Sequence, residues 1–166
     1  MKNIKKVFGI IIALVALFGA AGCKVEMDNE TKTLTVKARK VAVFYGGTDA
    51  SNYVGNGVDC IVQMIVNFYS DYSYEVVVNV AAKGSNGKIA YDNWTQEKGT
   101  YTGAPASDGT VVLTTNYEYN SKTKKLEMVT PYNENFVITN GQTGYTEPGL
   151  SIKLVRNSNL EDKFLL

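Results

Sequence analysis

The chain has 166 residues, 45% of them hydrophobic and 20% charged, which is enough for one domain with its own buried core. Its 17 basic and 16 acidic residues nearly cancel, so no whole-protein field directs it to nucleic acid. It contains no histidine, which removes the commonest general base, the Ser-His and Cys-His nucleophile pairs and any His-containing metal set.

The first element is an address. Lys2, Lys5 and Lys6 form a positive start, Val7 to Ala21 carries no charge, and small residues follow, the order of a secretory signal. The uncharged run is shorter than the ~20 apolar residues that span a bilayer. It ends in Ala20-Ala21-Gly22-Cys23, which resembles the lipobox of bacterial lipoproteins, with Ala20 where leucine is commonest. The resemblance implies cleavage of residues 1–22 and diacylation of the Cys23 sulfur, with further acylation open at the new amino group. Two or three acyl chains anchor stably where one is marginal. Cleavage removes three of the 17 basic residues and none of the 16 acidic ones, so the mature chain carries a net charge of −2. Anionic headgroups offer such a body nothing, and the acyl chains must hold it. Lys24 follows the cysteine where, in enterobacteria-like sorting, aspartate resembles an inner-membrane retention signal; this favours the outer membrane of the cell envelope.

Residues 23–32 read as the lipidated cysteine and a polar tether, and 33–157 as an all-β domain. Cys60, Val62, Met64, Val66 and Phe68 alternate with polar neighbours such as Gln63 and Asn67. Tyr74, Val76, Val78, Val80 and Ala82 do the same against Glu75 and Asn79. One buried and one solvated face is the mark of antiparallel strands. The expected strands are 33–45 (with a break near Arg39-Lys40), 58–69, 73–82, 87–92, 97–103, 110–117, 124–130, 134–139 and 149–156. Ser70-Asp71, Asp108-Gly109 and Asn140-Gly141 separate some of them. The tail, 158–166, has the pattern of one short capped helix. With Cys23 acylated, Cys60 has no disulfide partner, and its phase with Val62 and Met64 makes it a small buried hydrophobe.

Eight or nine short strands joined by mostly short turns predict an up-and-down barrel or half-open meander, with a β-sandwich as the alternative. The aromatic hairpin Phe68 to Tyr74, then Gly99-Thr100-Tyr101-Thr102-Gly103, then Asp108-Gly109-Thr110-Val111-Val112-Leu113-Thr114, is similar to the small lipocalin-like, calycin-type barrels of bacterial lipoproteins. The single tryptophan, Trp94, stands in mid-chain rather than on the first strand, where lipocalins carry theirs.

No Gly-x-Ser-x-Gly, P-loop or GxGxxG is present, and the scattered Asp49, Asp59, Asp71, Asp92 and Asp108 suit solvated turns better than a calcium site. The chain therefore reads as non-enzymatic, without metal or cofactor. Aromatics are the remaining lead: Phe68, Tyr74, Tyr101 and Phe136 fall on inward positions and Trp94 near a barrel mouth. They would either line a pocket for a small apolar ligand or fill the core. The expected partners are thus the membrane, through Cys23, and a small apolar ligand or an envelope component. The competing expectation is a protein-interaction module, an inhibitor or adhesin, with no internal ligand.

Overall fold

The computed structural model describes residues 38–162 apart from 56, 85 and 148. The segment expected to be a signal, Cys23 and the expected tether lie outside the described residues. Eight antiparallel strands form one sheet: β1 (Lys40–Asp49), β2 (Asp59–Tyr69), β3 (Ser73–Lys83), β4 (Ile89–Thr102), β5 (Gly109–Asn120), β6 (Lys125–Ile138), β7 (Gln142–Glu147) and β8 (Leu150–Arg156). A single helical turn, α1 (Ser51–Val54), follows β1, and a 3-10 turn (Ser158–Leu160) follows β8.

The sheet order is β6-β5-β4-β3-β2-β1-β8-β7. Because β8 returns to β1, this is the sequential circle of an up-and-down barrel with one seam, between β6 and β7. At that seam the described residues join through an isolated bridge, Thr139 to Gln142, across the Asn140-Gly141 turn. The architecture is therefore all-β, a curled half-barrel sheet rather than two stacked sheets.

The seam end is clasped by side chains. Both Asp108 carboxylate oxygens accept backbone N–H bonds, from Asn140 at 2.7 Å and Gly141 at 2.9 Å. Arg156 donates to the Ala106 carbonyl and forms a two-pronged ion pair with Glu161, at 2.7 and 2.9 Å. A forked guanidinium–carboxylate contact fixes geometry as well as charge, and here it ties the C-terminal turn to β8. The tail's described part is that 3-10 turn, capped by the Asn157 side chain, rather than a longer helix; 163–166 lie outside the described residues.

β2 and β3 follow the expected alternation almost to the residue. Their inward side chains pair across the ladder from Phe68–Tyr74 to Cys60–Ala82, all buried. The two expected strands 87–92 and 97–103 are one strand, β4. A bulge opposite Val76/Val77 turns both Gln96 and Glu97 into the interior, which breaks the period of two. The segments 124–130 and 134–139 likewise belong to one strand, β6, irregular around Pro131 where the register with β5 shifts between Thr115 and Tyr117.

β1 begins at the expected break near Arg39-Lys40, with 33–37 outside the described residues, and runs past the expected end at 45 through Gly46-Gly47. A Cβ on Gly46 would sit 1.9 Å from the Lys153 carbonyl oxygen, so glycine is what lets β8 close on β1. Gly99 plays the same part between β4 and β5, 1.9 Å from the Thr114 carbonyl oxygen. β7 was not expected at all.

Candidate functional site

Four of the five aromatics singled out by the sequence meet inside the sheet. Phe68 (β2), Tyr74 (β3), Tyr101 (β4) and Phe136 (β6) are 0–7% exposed. Phe68 is the hub: its ring centroid lies 5.0 Å from Tyr101, 5.3 Å from Phe136 and 6.4 Å from Tyr74. Phe44 of β1 joins them, 5.0 Å from Phe136 and 6.1 Å from Phe68, both edge-on. Edge-to-face contacts at this spacing are mutually attractive beyond their burial. Rings in direct contact leave no room between them for a guest. The Tyr101 hydroxyl donates to the Tyr69 carbonyl at 2.9 Å, which ends its polar requirement within the fold.

Trp94 stands apart from that cluster. It packs at 5.7 Å on Tyr119 and donates its indole N–H to Gln96 at 2.9 Å. It is buried rather than lying open at a mouth. Cys60 is buried on β2 and free, and burial pushes its thiol up, away from the reactive thiolate.

A polar pocket in the interior was not legible from the sequence. Glu97 lies opposite Glu118 on β5, with Glu134 of β6 close enough for its charge to act on Glu97. The Tyr74 hydroxyl bonds to Thr115 at 2.7 Å and reaches Glu97 at 3.5 Å, while Tyr132 donates to Glu118 at 2.6 Å. Burial first, then the charges of Glu134 and Glu118, push Glu97 up to about 7. Among the described residues no three acidic, cysteine or histidine side chains come together as a metal site.

Two grooves lie on the outer face of the described residues. The larger, of about 820 Å³, runs past Lys40, Tyr69, Glu75, Lys98, Tyr117 and Asp162. Two of its charges pair with each other: Lys98 bridges Glu75 at 3.3 Å, and Glu75 also accepts from the Tyr69 hydroxyl and from Asn67. Burial raises the Glu75 carboxyl, but the Tyr69 hydroxyl, Lys98 and Asn67 together outweigh it and hold it below the usual range.

The smaller groove, of about 320 Å³, is lined mainly by Ile61, Gln63, Asn79, Ala81, Tyr91 and Asn93. Register explains its order. Gly47, Gln63, Asn79 and Asn93 lie in one row across β1–β4, and Asp49, Ile61, Ala81 and Tyr91 form the next row. An amide band thus borders an apolar one, with Ile61 54% and Tyr91 75% exposed. The alternation marked Gln63 and Asn79 as outward, but the lateral neighbours needed the register. No protein-family model, curated protein or solved structure matches the chain.

Proposed function

We propose that the chain is a lipid-anchored protein of the bacterial cell envelope whose β domain binds an envelope component on its outer face, without catalysis. The lipobox-like Ala20-Ala21-Gly22-Cys23 supports the anchor, and Lys24 favours the outer membrane. The observation that carries the binding mode is the ring packing around Phe68. Side chains that would line a carrier's pocket instead fill the space among themselves, at centroid distances of 5.0–6.4 Å. The large apolar side chains left in solvent, among them Ile61, Tyr91 and Tyr117, point outward on β2, β4 and β5. Exposed groups of this kind beside ordered polar neighbours are where recognition takes place.

Native mass spectrometry of the protein purified from membranes tests the binding mode. The expected mass is that of the acylated polypeptide alone. A stoichiometric adduct of lipid-like mass, lost on denaturation, would return the function to an interior carrier of a small apolar ligand.

A further inference from the structure

We propose that the smaller outer groove, across β2, β3 and β4, is a binding site for a neutral oligosaccharide. The proposal rests on the outer-face reading above and names its ligand class.

The amides come first. Gln63, Asn79 and Asn93 stand side by side on adjacent strands, ~4.8 Å apart from strand to strand. Among the described residues none of the three side chains is engaged with another group. Each offers a carbonyl acceptor and two N–H donors. A sugar hydroxyl is donor and acceptor at once, so a row of unengaged amides matches a row of hydroxyls without any charge.

The border comes second. Ile61, Ala81 and Tyr91 place an apolar strip directly beside the amides, ending in an exposed phenol ring. A pyranose has the same division, with hydroxyls at its edge and C–H bonds on its face, and the C–H face stacks on an aromatic ring. The groove's volume of about 320 Å³ sits at the small end of ligand sites and suits a short glycan segment.

Charge then separates the ligand classes. Among the described residues no lysine or arginine lines the groove, and Asp92, which pairs with the inward Val80 and accepts the Asn93 backbone N–H at 2.8 Å, belongs to the inner face. A phosphate, sulfate or carboxylate finds no cation there to pair with. An apolar guest would cover three amides and leave their hydrogen bonds unmade, which is costly in each case.

The test uses the full chain in a zwitterionic, sugar-free detergent, titrated with chitotriose, cellotriose and maltotriose. The side-chain amide signals of Gln63, Asn79 and Asn93 are followed by NMR. At least one trisaccharide is expected to shift them saturably at millimolar concentration. The Asn79→Ala/Asn93→Ala double variant is expected to bind about tenfold more weakly, the effect of losing hydrogen bonds to a neutral ligand, with an unchanged melting temperature. Tyr91→Phe keeps the stacking ring and is expected to retain binding, whereas Tyr91→Ala weakens it. The proposal is overturned if none of the three sugars moves these signals, if binding survives the double variant, or if a sulfated trisaccharide binds better than all three. The outer-face reading fails by a different result, the lipid-like adduct in the native mass spectrum.

Discussion

Glu97→Gln offers a quantitative test of the interior. Glu97 is 9% exposed, faces Val76 on one side and Glu118 on the other, and is held up to about 7 against an ordinary 4.5. A carboxyl whose folded value is raised binds its proton more tightly in the native state than in the unfolded chain. Stability therefore falls as pH rises from about 4.5 to about 7 and is level above that range. A rise of this size corresponds to about 3 kcal/mol, at 1.36 kcal/mol for each pH unit. Glutamine keeps an acceptor for the Tyr74 hydroxyl and cannot ionise. The variant is expected to gain up to about 3 kcal/mol over the wild type at pH 8 and almost nothing at pH 4. Urea unfolding of both proteins across that range reads the effect. The difference between their two profiles cancels the carboxylates that do not interact with Glu97, such as Asp108 and Glu75, whose lowered values act at the acid end. A difference that is flat with pH, or a variant less stable at pH 8, would refute the reasoning.

Two further predictions come from the geometry and one from the lipobox-like sequence. Gly46→Ala places a methyl group against the Lys153 carbonyl oxygen and is expected to cost about 1–3 kcal/mol, as overpacking does, while Gly144→Ala, with open space at its Cβ, is expected to be mild; thermal unfolding distinguishes them, and equal effects would contradict the β1–β8 closure. Val66→Asp buries an unpaired charge on the inner face and is expected to prevent folding or cost several kcal/mol, whereas Gln63→Asp on the outer face is expected to change stability by under about 1 kcal/mol. Circular dichroism of the two settles inside from outside, and equal destabilisation would reverse the assignment. Labelled palmitate is expected in the wild-type protein and absent from Cys23→Ser, and label retained in the variant would contradict anchoring at that residue.

Legibility followed the strength of alternation. β2 and β3 carry five inward apolar residues each, so both ends and both faces could be read directly. β4 was split because its bulge buries two polar residues in succession, and a pattern-based reading expects polar residues outside. β7 has one apolar residue that packs inward, Tyr145, in a six-residue strand, too little to establish a period. Gly46 lies just past the expected end of the first strand at 45; its need for glycine comes from a carbonyl more than 100 residues away, which no local pattern contains. The inward aromatics were found by phase, but whether they enclosed a space or touched each other depended on the curl of the sheet. The Glu97, Glu118 and Glu134 pocket and the amide band both join residues from three strands. Each member is ordinary in its own strand, and register alone makes them neighbours.

If the aromatic interior is a filled core, Phe68→Ala must be costly. Phe68 is 0% exposed and touches Phe44, Tyr74, Tyr101 and Phe136. Truncating a phenylalanine so enclosed costs about 3–5 kcal/mol, and Phe68→Leu, a smaller loss, keeps the comparison measurable if the alanine variant does not fold. Urea midpoints at constant m-value are expected to fall in the order wild type, Phe68→Leu, Phe68→Ala. A Phe68→Ala variant within about 1 kcal/mol of the wild type would mean that the ring borders an open pocket, and the interior would again be the place to look for a ligand.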